Sequence, residues 1–201
     1  RVHVESISDL TGALDSTKEY FLDGQIDAGS VEIIVPVGGL SIAGYNFDLS
    51  SLFSTVAGHT MFVSPVGGSG NILFKDFALS DSGVGSKVFD IVAAVGNEAI
   101  EITRVNYNNC SSRGTINGYR QGFESGTGRF GGQPELELDG TWSGGYFLDN
   151  TIVRDLIDGA YSIYKAGATF TMASRFRTNE NVDLPANASF LDFAPANFTD
   201  P

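Results

Sequence analysis

The chain is poor in the residues that usually mark catalysis, metal binding or compartment. A single cysteine, Cys110, stands among 201 residues. It allows no disulfide within the chain and no cysteine cluster for zinc, and it is expected to be a buried, inert thiol. The two histidines, His3 and His59, have neither His-x-His nor His-x-x-x-His spacing. No metal site, no Ser-His-Asp triad and no cofactor is therefore expected. Positive charge is scarce: 12 Lys and Arg face 24 Asp and Glu, for a formal net charge of −12. Such a surface is repelled by phosphate backbones and anionic lipid, which argues against nucleic-acid and membrane partners. It also weighs against a lyase acting on polyuronic acids. No apolar run is long enough to span a bilayer, and no basic-then-apolar leader is present. The chain starts at Arg1 without a methionine, and the expectation is that it has been cut from something longer.

What is abundant points to β structure: 25 glycines, 15 phenylalanines and 7 tyrosines. One pattern recurs three times between Leu40 and Tyr107. Leu40, Ile42, Tyr45 and Phe47 form the first copy. Ile72, Phe74, Phe77 and Leu79 form the second, and Ile100, Ile102, Val105 and Tyr107 the third. Period-two alternation is the strand signal, and the two-residue skip in each copy predicts a bend. The copies begin 32 and then 28 residues apart, and self-similarity at such intervals predicts stacked units that bury their apolar faces against one another. The fold class expected is all-β, a right-handed parallel β-helix with a short N-terminal capping helix.

Within that frame, residues 1–19 are the lead-in and cap, with Ser8 or Asp9 starting a helix whose apolar face is Leu10, Ala13 and Leu14. Residues 20–177 are the β-helix. Secondary strands at His59–Val63 and Lys87–Val92 follow the first two copies, joined by Gly- and Ser-rich corners. Residues 110–147 break the pattern: ten glycines fall between Gly114 and Gly145, and the stretch reads as an irregular insertion. Residues 178–201 read as an extended tail. Its Phe190, Leu191, Phe193 and Phe198 have no obvious coil to sit on, and are expected to pack on a neighbouring subunit or a following domain.

The order of helix, strand ending in Asp23-Gly24, strand ending near Pro36 and coil Ile42-Ala43-Gly44 resembles the opening of pectate-lyase-like β-helix proteins. The likeness spans roughly residues 8–107. The stretches ISDLTGALDSTKEYFLDG and FRTNENVDLPANASFLDF are similar to segments of tail-fibre or tailspike-like proteins of bacteriophages and prophages. That resemblance implies a homotrimer on a virion, outside the cell, contacting a host surface polysaccharide. It carries no catalytic motif.

Glycoside hydrolysis needs two carboxyl groups about 5–9 Å apart. Glu135, Glu137 and Asp139 alternate on one strand, about 7 Å between successive members, and are the weak catalytic candidates; a solvated strand face is the plainer reading. A flat aromatic surface flanked by polar groups suits a sugar ring better. Trp142, set among small residues, with Tyr146, Tyr119 and Arg120, is the candidate ligand-binding group. The competing reading places these aromatics in a core or interface. Arg113, Arg120 and Arg129 are expected to pair with the excess carboxylates rather than hold an anionic sugar. Three functions follow: a host-surface glycan-binding module of a viral fibre, a polysaccharide depolymerase on the same scaffold, or a cell-surface adhesin. The first is the reading the sequence favours.

Overall fold

The computed structural model describes residues 1–199. The chain is all-β, with long parallel sheets, and it visits three rows of strands in turn. The first row holds Glu19–Leu22, Leu40–Ala43, the first half of Ile72–Asp81, the first half of Ala99–Asn108, Gln121–Ser125, Tyr146–Asp149 and Phe176–Arg177. The second holds Gln25–Asp27, Ser51–Ser54, the second halves of the two long strands, Gly128–Phe130, Thr151–Arg154 and Glu180–Val182. The third is a seven-stranded sheet of Ile33–Ile34, Thr60–Val63, Lys87–Val92, Gly114–Asn117, Leu136–Asp139, Ser162–Ala166 and Ser189–Asp192. Each strand pairs with the strand of the same row on the next pass.

The repeat sets the register. Leu40, Ile72 and Ile100 are partners across successive passes, as are Ile42, Phe74 and Ile102. Phe77 faces Val105, and Leu79 faces Tyr107. The bend between rows falls in the expected skip, where Asp76 (φ 62°) and Arg104 (φ 51°) adopt the left-handed conformation. That backbone is costly for a non-glycine residue. An Arg104–Asp76 pair, 2.5 Å from Nε and 2.8 Å from Nη2, ties the two strained corners together. Gly126 and Asn150 take the same conformation in the next two passes, where glycine and asparagine tolerate it best. The first copy departs from the pattern in its second half. Tyr45 and Phe47 are exposed on a loop, and Leu52 fills the inward place opposite Leu79. The loop inserts residues between the two strands, so the apolar spacing at 45 and 47 is coincidental.

The early passes have a largely apolar interior, with a few buried polar side chains such as Ser54, His59 and Asp81. Phe62 lies 4.9 Å from Phe74 and 5.7 Å from Phe89 by ring centroids, all fully buried. Each such ring contributes about 1.5–3 kcal/mol by leaving water.

Three expectations are corrected. In place of an N-terminal α-helix there is a strand, Val2–Val4, paired with Tyr20–Leu22, and then one 3-10 turn, Ile7–Leu10. Asp9 takes the N–H groups of Glu5 and Ser6, 3.0 Å each, and Leu10 alone of the turn is buried. Gly12 at φ 78° ends any continuation. Residues 110–147 are no irregular insertion: they carry five strands in register with their neighbours. Their glycines sit mainly at corners, and a corner-rich segment loses the run lengths from which a strand is recognised. The tail also stacks as a further pass. Phe193 packs at 5.2 Å on Phe170 and 5.1 Å on Phe176, while Phe190 meets Tyr164 at 5.7 Å. These rings cover the end of this chain's own stack, which would otherwise be an open edge. Asp200 and Pro201, the end of the expected tail segment, lie outside the described residues.

Candidate functional site

The later passes enclose a charged interior. Glu124 points inward from the first row, Arg129 from the second, and Arg113 from the start of the third; all three are fully buried. Oε1 of Glu124 accepts from Tyr146 Oη at 2.5 Å, Tyr164 Oη at 3.1 Å and Arg113 Nη1 at 3.3 Å. Oε2 accepts from Arg129 Nη2 at 2.5 Å and Thr127 Oγ1 at 3.4 Å. Arg113 also donates to the carbonyls of Pro134 and Ile163, at 2.8 and 2.7 Å. Burial disfavours a charged Glu124, but Arg129 and Arg113 outweigh it and hold the carboxyl below its usual range. Arg113 and Arg129 thus pair with a carboxylate, as their scarcity among acidic residues implied. Glu124 itself escaped notice, because a glutamate flanked by Phe123 and Ser125 reads as the polar face.

This burial removes the aromatic candidates from the surface. Trp142, Tyr119 and Tyr146 are each fully buried. Trp142 Nε1 donates to the Asp139 carbonyl at 2.8 Å, and Tyr119 Oη donates to the Gly70 carbonyl at 3.1 Å. Every polar atom of these rings has an interior partner, so none offers a face to a sugar. Small neighbours of Trp142 are corner residues, and they do not expose the indole. Of that candidate group only Arg120 is exposed.

The carboxylates Glu135, Glu137 and Asp139 do share the outer face of Leu136–Asp139 and the residue before it. Lys165, one pass on, bridges Glu135 at 2.6 Å and Glu137 at 3.4 Å. Its ammonium lies between the two carboxylates and partly neutralises them. Asp139 accepts from Thr169 N and Oγ1 at 2.8 and 2.9 Å. Partial burial opposes its charge, but the Thr169 and Gly140 donors prevail and lower its pKa. A lowered carboxyl is the reverse of what a general acid needs.

Both histidines are engaged, the exposed His3 with Asp23 at 3.0 Å from Nδ1 to Oδ2. His59 and Asp81 form a buried pair, Nδ1 to Oδ2 at 2.7 Å, while Nε2 meets the Val31 carbonyl at 2.9 Å. Both ring nitrogens are committed, leaving none to activate a nucleophile. Cys110 is buried too, and burial pushes its thiol up to about 12. Among the described residues no three His, Cys, Asp or Glu side chains converge as a metal site.

The surface offers a different site. Phe123 and Phe147 are register partners on the outer face of the first row, one pass apart, about 4.8 Å by strand spacing. Glu101 precedes them in this column and Arg177 follows. Phe123 is 38% exposed, enough to present ring surface. A depression here is lined by Phe123, Phe147, Asp149, Arg177, Thr178 and Asn179. Asn179 Nδ2 donates to Asp149 at 3.3 Å. Gly145 makes room: a Cβ there would lie 2.9 Å from the Phe147 ring and 2.5 Å from the Arg175 carbonyl. The signal for this site lay in the stacked register of Phe123 and Phe147, which irregular corner lengths concealed.

Compared with family models, curated proteins and solved structures, the chain matches none at a significant level.

Proposed function

We propose that the successive passes close into a right-handed parallel β-helix and that the chain is a structural, host-surface glycan-binding module of a viral tail fibre or spike. Parallel strands joined by crossovers are right-handed almost without exception. The observation that carries glycan binding is the Phe123–Phe147 pair, bordered by Asp149, Arg177 and Asn179. Apolar ring faces with carboxylate, guanidinium and amide groups beside them match the alternating C–H and hydroxyl surfaces of a sugar. The viral setting rests on the resemblance of the two stretches quoted above. A trimer is supported by Val37, Val66 and Val95, all exposed, which recur at equivalent corners of three successive passes. Exposed apolar side chains repeated at one corner of the stack favour a contact surface there. A depolymerase is the weaker reading, since Lys165 occupies the gap between the candidate carboxylates.

Binding to an array of bacterial surface polysaccharides, compared between the wild type and Phe147→Ala, tests the site. The expected loss is about tenfold, the equivalent of about 1.4 kcal/mol of stacking. Equal binding by both proteins would reject the Phe123–Phe147 face. Light scattering tests the assembly: the wild type is expected as a trimer, and Val66→Asp as a monomer. A monomeric wild type would reject the trimer.

A further inference from the structure

Among the described residues, four side chains of the later passes carry buried polar atoms with no partner: Tyr107 Oη, Arg129 Nε, Thr151 Oγ1 and both carboxyl oxygens of the half-buried Glu180. The pairing register brings them together. Tyr107 and Arg129 are partners in one inward column, and the Arg129 guanidinium lies 5.9 Å from the Tyr107 ring. Thr151 and Glu180 are partners in the inward column two residues away. Thr151 is separated from Val153, the partner of Arg129, by a single residue. Orphaned polar atoms are rare in folded interiors, and each costs about 1–3 kcal/mol. A group of them on successive strands of the stack is a polar site within the interior.

The chemistry selects the occupant. An anion would face the Glu180 carboxylate, and a cation would face the guanidinium of Arg129. The set mixes a fixed donor, Arg129 Nε–H, two hydroxyls that donate or accept, and a carboxyl group that accepts. Water both donates and accepts without a charge and is small enough for an interior site, and buried waters make about three hydrogen bonds to such groups. We propose that one or two structural waters are bound between Arg129, Thr151, Tyr107 and Glu180, joining the last pass to the charged interior. Burial pushes the Glu180 carboxyl up to about 7, with Arg129 pulling against it. Both of its carboxyl oxygens are buried from bulk solvent, where a held water can serve them.

An atomic-resolution crystal structure of the whole chain tests the site directly. The expected result is at least one water within hydrogen-bond distance of two or more of the four side chains. An empty site, a bound ion, or a direct Glu180–Arg129 contact with no density between would overturn the proposal. Water-oxygen magnetic relaxation dispersion gives an independent reading in solution. Thr151→Val keeps the shape and removes one partner, and the count of long-lived buried waters is expected to fall relative to wild type. Glu180→Gln, which keeps a polar end, is expected to retain them. An unchanged count in Thr151→Val, in a variant with wild-type circular dichroism, would also overturn it.

Discussion

Glu124→Gln is the substitution that most sharply tests how the second half of the molecule is held. The side chain is fully buried and is the common acceptor for Arg113, Arg129, Tyr146, Tyr164 and Thr127. Glutamine preserves the volume but leaves two buried guanidinium groups without their carboxylate. Removing one partner from a buried ion pair costs about 3–5 kcal/mol. The individual hydrogen bonds do not add to that figure, since Arg113 keeps the Pro134 and Ile163 carbonyls. Against a typical domain stability of about 5–15 kcal/mol the loss is large. It should also be local, because the early passes share none of these contacts and stacked units couple mainly to their neighbours. The protein supplies its own reporter: Trp142, its one tryptophan, lies 5.7 Å from Tyr146 by ring centroids. In urea, tryptophan fluorescence is expected to change before the bulk of the β circular dichroism. The triple variant Arg113→Met, Glu124→Leu, Arg129→Met removes all three charges together and should lose less than Glu124→Gln alone. Coincident transitions shifted by less than about 1 kcal/mol would refute the reasoning, since the carboxylate would then not be holding two charges in the interior. The pH dependence has a definite sign. Because the folded carboxyl of Glu124 lies below the ordinary value of 4.5, its stabilisation is complete above that pH. It is lost as pH falls through the lowered folded value, and Glu124→Gln should remove that acid-side loss.

Glu180 has the opposite sign: its folded pKa is raised from 4.5 to about 7, so its contribution favours folding below pH 4.5 and is lost as pH rises towards 7. Glu180→Gln should flatten stability over that window, measured by urea midpoints; an unaltered slope would reject the assignment. His59→Leu leaves the buried Asp81 carboxylate without its ring partner, and a loss of about 3–5 kcal/mol is expected by chemical denaturation. A loss within 0.5 kcal/mol, the usual range for a surface change, would place the pair outside the core. Phe74→Ala should cost about 3–5 kcal/mol, by cavity formation beside Phe62 and Phe89. Gly114→Ala combines φ +83° with a Cβ driven into the Phe89 carbonyl. It is expected to abolish soluble folded protein, and ordinary expression with a native spectrum would contradict that register.

The early passes were legible because one rule governs them. Where the interior is made only of Ile, Phe, Leu and Val, inward positions repeat every second residue, and Leu40, Ile72 and Ile100 announce their own register. The same rule failed for residues 110–147 for a physical reason. There the interior also takes in Arg113, Glu124, Thr127 and Arg129, residues that an alternation rule assigns to solvent. Inverting those positions turns Phe123 outward and Glu124 inward, and the aromatic pair appears where the sequence displayed only a glycine-rich break. Trp142 misled in the same way: its neighbours are small because the chain turns there, while the indole is satisfied by a backbone carbonyl inside. Composition cannot distinguish a charge that faces water from one that faces an opposite charge across the interior.

That exchange of roles bears on the proposed function. A solenoid with an apolar interior must place its polar residues outside, leaving few outward positions for aromatic rings. Pairing Glu124 with Arg113 and Arg129 stabilises the later passes without using every inward position for hydrocarbon. Phe123 and Phe147 are thereby released to the outer face, on either side of the strand positions from which Glu124 and Tyr146 enter the interior. The proposed binding face and the buried network are two sides of the same strands. It follows that Glu124→Gln should weaken glycan binding as well as stability, through disorder of Gln121–Ser125. Phe147→Ala, by contrast, should weaken binding while leaving the urea midpoint nearly unchanged. Separation of those two effects by variant would show that the interior positions the face rather than forming part of it. Retention of full glycan affinity by a Glu124→Gln protein whose later passes are already unfolded would place the binding site elsewhere on the chain.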